Sequence, residues 1–138
     1  TPLHFIKLEL TDAKGDLLSE NFYWRNGVRD LDYTLLNTLP EADLSCRLVD
    51  KSMADGKMKI AVKNNSGMVA FANRMRLVNK TTQERVLPVI MSDNYVTLMP
   101  GEEKVITMEA TPELLKGGVS VLVKQYGKAE KNKLDIAD

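Results

Sequence analysis

One cysteine, Cys46, and one histidine, His4, leave this chain little of the chemistry that side chains perform unaided. A single thiol forms no internal disulfide. Nucleophilic triads and most zinc sites require histidine, and His4 sits near one end as a partly exposed strand residue. Cys46, in "LSCRL", alternates with Leu44 and Leu48, the pattern of a buried small apolar residue rather than a reactive thiol. Charge of one sign is also lacking. Nineteen basic residues balance nineteen acidic ones, so no global field attracts phosphate backbones or anionic lipid, and nucleic acid is not an expected partner. No apolar run approaches the ~20 residues of a membrane helix, so no membrane partner is expected either. The eight glycines are scattered through turns, without a phosphate-cradling loop. With aromatics at 6%, there is little material for a sugar-stacking platform. No cofactor or metal is expected.

Carboxylates are the one catalytic type in supply. A glycosidase needs only two of them, ~5–9.5 Å apart, and nineteen acids make such pairs unavoidable by chance. Asp30/Asp32 and Glu102/Glu103 fall in turns, where acids are normally solvated, and an active site also needs a concave apolar pocket. No catalytic residue is assigned. The chain opens "TPLHF", with neither an initiator Met nor a basic leader, and reads as a segment of something longer.

Period-two alternation is what the sequence has in quantity. "HFIKLEL" sets Ile6, Leu8 and Leu10 against Phe5, Lys7 and Glu9; "KMKIAVK" sets Met58, Ile60 and Val62 against lysines. Strands with one buried and one wet face look like this. "DAKGD" (12–16) and "NNSG" (64–67) read as turns, "ADGK" (54–57) as a tight Asp-Gly hairpin, and "MPGE" (99–102) as a type II turn around Pro100-Gly101. "TPELLK" (111–116) is a one-turn helical connector that Gly117-Gly118 ends. Strands are expected near 3–10, 17–25, 42–52, 57–64, 69–79, 85–91, 95–99, 103–110 and 119–125. Their spacing predicts an all-β antiparallel sandwich, immunoglobulin or fibronectin III-like, as a single domain over 1–126. Residues 26–41 fit neither template and read as a long inter-sheet connection, and 127–138 lose the alternation and read as a flexible tail.

Two stretches carry the candidate site residues. In "LSENFYWRN" (17–25), Phe22 and Trp24 share a face with Leu18 and, with Phe71 further on, are assigned to the core. Tyr23, on the opposite face with Arg25, is open between structure and stacking on a sugar ring. In "SDNY" (92–95) the chain breaks between two strand-like runs. Asp93 and Asn94 suit a corner between sheets, because their short side chains bond the local backbone. Tyr95 is expected to tuck its ring under that corner, its hydroxyl on a backbone carbonyl. The competing reading has the loop tip facing a neighbouring domain.

"SENFYW" (19–24), "LNTLPEADL" (36–44), "VKNNSGMVAFANRMRLV" (62–78) and "RVLPVIMSDNYVTLMPGEEKVITME" (85–109) together resemble the C-terminal immunoglobulin-like domain of family 2 glycoside hydrolases, of the exo-β-glucosaminidase and β-mannosidase type. The resemblance implies a non-catalytic accessory domain. Its partners would be other domains of the same polypeptide, including the catalytic barrel that hydrolyses the O-glycosyl bond, with glycan as a further candidate. It also implies a periplasmic or secreted location. Two rivals stand beside it: a carbohydrate-binding module, which would show two or more exposed coplanar aromatics, and a free-standing adhesion-type sandwich.

Overall fold

The computed structural model describes residues 3–27 and 33–138, so Asp30 and Asp32 lie outside the described residues. Where one domain over 1–126 was expected, the chain divides into two compact units, Thr1–Leu39 and Pro40–Asp138. All strand pairing is antiparallel.

The first unit is a hairpin, β1 (Leu3–Thr11) paired with β2 (Leu17–Asn26), followed by a short 3₁₀ turn at Thr34–Thr38. Within the expected 26–41 connection, Asn26 still belongs to β2 and Thr34–Thr38 forms this turn. Asp12 builds the hairpin's bend: its Oδ1 accepts the N–H groups of Lys14 and Asp16 at 2.8 and 2.9 Å. Phe5 pairs with Trp24 and Lys7 with Phe22, so cross-strand geometry puts Phe5, Phe22 and Trp24 on one face. The rings of Phe5 and Phe22 stack at 5.6 Å. Phe22 and Trp24 are therefore hairpin residues and no part of the sandwich core; Trp24 is 47% exposed and Phe22 half-buried. Alternation placed them correctly on one strand face, but it carries no information about what lies opposite that face.

The second unit is the sandwich. One sheet has the order β10-β9-β5-β7 and the other β3-β4-β8-β6. The ranges are β3 (Leu44–Ser52), β4 (Lys57–Asn64), β5 (Ala70–Asn79), β6 (Val89–Met91), β7 (Val96–Leu98), β8 (Glu103–Ala110), β9 (Val119–Lys124) and β10 (Glu130–Ile136). Every second side chain points inward. Met58, Ile60 and Val62 from β4, Ile106 and Met108 from β8, Met75 and Leu77 from β5, and Val119, Val121 and Val123 from β9 fill one continuous core. Phe71 is buried, with its ring edge-on to Tyr126 at 5.6 Å. Cys46 is half-buried against the core, and burial pushes its thiol up to about 11.

Residues 127–138 do not form a flexible tail, since β10 pairs with β9 along the sheet border. A register shift between Asn132 and Leu134 hides this strand from a period-two reading. The extra residue, Lys133, brings Leu134 and Ile136 into phase with Val121 and Val119, whereas unbroken alternation from Glu130 would not.

Turn chemistry accounts for the remaining connections. Gly101 has φ +76° and Glu102 N–H donates to Met99 O at 3.0 Å, as a type II turn requires. The β3–β4 link is no two-residue hairpin: Met53–Asp55 makes a 3₁₀ turn, which Gly56 closes in the left-handed region at φ +72°. A Cβ at Gly56 would lie 1.9 Å from the carbonyl oxygen of Ala110. The approach is that close because the Gly56 carbonyl accepts from Ala110 N–H at 2.9 Å.

Candidate functional site

The run 85–91 crosses between the sheets. Arg85 bridges Val78, and Val86 N–H donates to Leu77 O at 2.9 Å, both on β5. Leu87 and Pro88 then leave β5, proline having no N–H to give a ladder, and Val89–Met91 pair with β8. This shortens the expected 85–91 strand to three residues.

Ser92–Tyr95 carry the chain back toward β5. Ser92 extends the pairing by one step: its N–H donates to Thr107 O and its Oγ accepts from Thr107 N–H, each at 2.9 Å. Asp93 Oδ1 accepts from Asn94 N–H at 2.8 Å, and its Oδ2 meets Lys104 Nζ at 2.6 Å. Asn94 does the joining. Its Oδ1 accepts from Met75 N–H at 2.8 Å while its Nδ2 donates to Met75 O at 3.1 Å. A side-chain amide thus occupies the place of a strand residue beside β5. Asp93 and Asn94 form the turn of the corner between the sheets.

Tyr95 is not part of it. It stands at φ +52° with its side chain 64% exposed, so the ring is outside the corner, and Asn94 has taken the bonding role expected of it. A tyrosine held in the left-handed region costs roughly 1 kcal/mol of backbone strain. Tyr23, on the first unit, is also exposed. It faces away from Trp24, so these neighbouring aromatics form no common platform.

Beneath the corner, Met75, Leu77, Val86, Val89, Met91 and Asn94 line a groove of about 260 Å³, with Arg76 and Arg85 at its margin. It holds no carboxylate, so acid–base hydrolysis has no groups here. On the outer face of the same sheet, Glu130 takes Arg76 in a two-point pair, with Nε at 2.7 Å, and Arg74 at 3.2 Å. The hydrogen bond from Arg76 holds the Glu130 carboxyl below its ordinary range and raises Arg76 in turn. Among the described residues, no group of three or more His, Cys, Asp and Glu side chains could hold a metal ion.

The same amide device recurs where no expectation placed it. Gln125 gives Ala42 both bonds, Oε1 to its N–H at 2.9 Å and Nε2 to its carbonyl at 2.6 Å. Asn64 Nδ2 donates to Met68 O and Leu98 O, and Asn73 Nδ2 spans a bulge to Ala70 O and Val96 O. Their sequence signal was available: Asn73 falls on the inward phase of β5, among residues that are otherwise apolar.

The family model for the exo-β-D-glucosaminidase Ig-fold domain matches residues 21–127. The chain belongs to this family. Among curated relatives, an exo-β-D-glucosaminidase of Arthroderma benhamiae is 34% identical over 115 residues, covering 71% of this chain and 13% of that protein. The Hypocrea jecorina exo-β-D-glucosaminidase is 33% identical over 121 residues, 72% of this chain and 14% of its own. A solved complex of Amycolatopsis orientalis exo-chitosanase CsxA with PNP-β-D-glucosamine superposes with TM-score 0.79 at 25% identity, covering 96% of this chain and 18% of that one. The chain thus spans 13–14% of the length of these two curated relatives.

Proposed function

We propose that this Ig-fold domain is the non-catalytic accessory module of a larger family 2-type exo-β-glucosaminidase, in which a separate catalytic domain does the chemistry. The family match over residues 21–127 carries this reading. It is supported by relatives that bear the glucosaminidase name over polypeptides several times longer. Glucosaminidase is favoured over β-mannosidase on the same ground. The module's work is mechanical: it braces neighbouring domains, and the 92–95 corner presents Tyr95 outward to form part of the cleft wall. A strained, exposed aromatic on an otherwise fully bonded corner is the observation behind that last point. Export from the cytoplasm belongs to the proposal, since polymeric glycan does not cross a membrane to reach its enzyme.

The test uses the complete open reading frame. Its product should release p-nitrophenol from p-nitrophenyl-β-D-glucosamine, while the 138-residue chain should not. Preference for the β-mannoside would redirect the reading to that branch. In the long protein, Tyr95→Ala should raise KM several-fold with kcat held, and unchanged constants would remove the corner from the cleft. Saturable glycan binding by the 138-residue chain alone would favour a carbohydrate-binding module.

A further inference from the structure

Two stretches fit the Asn-x-Ser/Thr pattern that an oligosaccharyltransferase reads, Asn64-Asn65-Ser66 and Asn79-Lys80-Thr81. The pattern ordinarily marks an exposed loop. Here both asparagines help to close the sandwich. Asn64 ends β4 and is fully buried. Its Nδ2 donates to Met68 O at 2.7 Å and Leu98 O at 3.1 Å. Its Oδ1 accepts from Ser66 N–H at 3.0 Å and from Ser66 Oγ at 2.7 Å. Asn79 ends β5 and spends its amide in the same way. Its Nδ2 donates to Leu114 O at 3.3 Å and Lys116 O at 2.9 Å, while its Oδ1 accepts from the N–H groups of Thr81 and Thr82 at 2.9 and 3.1 Å. These bonds, with Lys80 N–H on Gly118 O at 3.0 Å, tie the 79–84 turn to the segment carrying Leu115, a fully buried core residue. The seam has no slack: a Cβ at Gly117 would lie 2.8 Å from Thr81 Oγ1.

Glycosylation joins Nδ2 to the anomeric carbon of a lipid-diphosphate-linked oligosaccharide. The carbon–oxygen bond to the diphosphate breaks, its electron pair leaves with the diphosphate, and the amide gives up one proton. One of the two donors is lost, and a bulky polar sugar occupies its place. At Asn64 that strands a buried carbonyl and demands room where there is none. At Asn79 the sugar must part the turn from residues 114–118 and uncover Leu115.

We infer that folding and N-glycosylation exclude one another at both positions: the transferase reaches them only in the unfolded chain, and a folded, exported copy carries bare Asn64 and Asn79. The inference concerns the sandwich alone and holds whatever the parent chain hydrolyses.

Secretion through a glycosylating host tests it. The 138-residue chain, brought into the yeast secretory pathway by a cleavable leader, is compared between secreted and cell-retained fractions by site-resolved mass spectrometry. Glycan occupancy at Asn64 and Asn79 should be roughly ten-fold or more lower in the secreted fraction, with the retained fraction carrying it. Ser66→Ala with Thr81→Ala removes both acceptor patterns, keeps both asparagines and should raise the secreted yield several-fold. Made in a bacterial cytoplasm, the same double variant should unfold at equal or slightly lower urea, since Asn64 loses the Ser66 Oγ bond. Better secretion without greater stability is therefore the expected signature. A secreted, protease-resistant chain bearing glycan at either asparagine would overturn the inference, and so would glycan in neither fraction. Should the double variant fail to fold, Thr81→Ala alone should still clear Asn79 of glycan and improve the yield, and an unchanged yield would count against the inference.

Discussion

The hairpin and the sandwich are written in the same sequence grammar and end in opposite environments. Ile6, Leu8 and Leu10 alternate as cleanly as Met58, Ile60 and Val62, yet Leu8 is 54% exposed and Ile60 fully buried. Period two reports extended backbone with two unlike faces. It says nothing about whether the apolar face has found its cover. In the second unit, β4 faces β5 and β9 across the core and the alternation is satisfied within 40–138.

The largest expected effect sits on the sandwich side, where close packing leaves no slack. Gly56→Ala must move the Ala110 carbonyl and give up a relaxed left-handed turn, and should destabilise by about 4 kcal/mol in urea denaturation. A loss under 1 kcal/mol would mean the β4–β8 end is far softer than drawn. Truncation then contrasts the units directly. Ile60→Ala should cost about 3 kcal/mol, whereas Leu8→Ala in the same 138-residue chain should cost under about 0.5. Comparable losses would show that the hairpin face is covered in this chain after all.

Asn94→Ala removes both bonds to Met75 and strands a backbone pair, for about 2 kcal/mol in thermal or chemical unfolding. Glu130 supplies a pH signature confined to the sandwich. Its folded carboxyl is depressed below the 4.5 of a free glutamate by Arg76. Its stabilising contribution is therefore fully present above that value and is lost as pH falls through the folded value. Glu130→Gln should flatten the acid limb of stability against pH, with about 1 kcal/mol lost at neutrality. A limb of unchanged slope would assign acid sensitivity to other carboxylates. The smallest effect belongs to Tyr95→Phe, expected near zero because its ring is exposed. A cost above about 1 kcal/mol would restore a buried role for the hydroxyl.

Sequence made the sandwich largely readable because each inward phase is apolar and each break carries turn residues. Asp93 and Asn94 were legible at the corner for the same reason: few other types satisfy backbone locally. Tyr95 was misread, since a tyrosine beside a corner usually supplies the bond that Asn94 here makes itself. Trp24 was misplaced because burial is a property of the partner layer. The last strand escaped because one inserted residue resets its phase and four of its seven residues are charged. Asn73 was legible only as a polar residue on an inward phase, and Gln125 finds Ala42 across 83 positions, a distance at which no local pattern operates.

That inserted residue has a further effect at the rim. A foreign chain seeking to lengthen the β10 sheet would find donors and acceptors out of step at Lys133, beside the Lys131–Glu41 ion pair. The irregularity that hid the strand also makes it a poor seed for edge-to-edge growth.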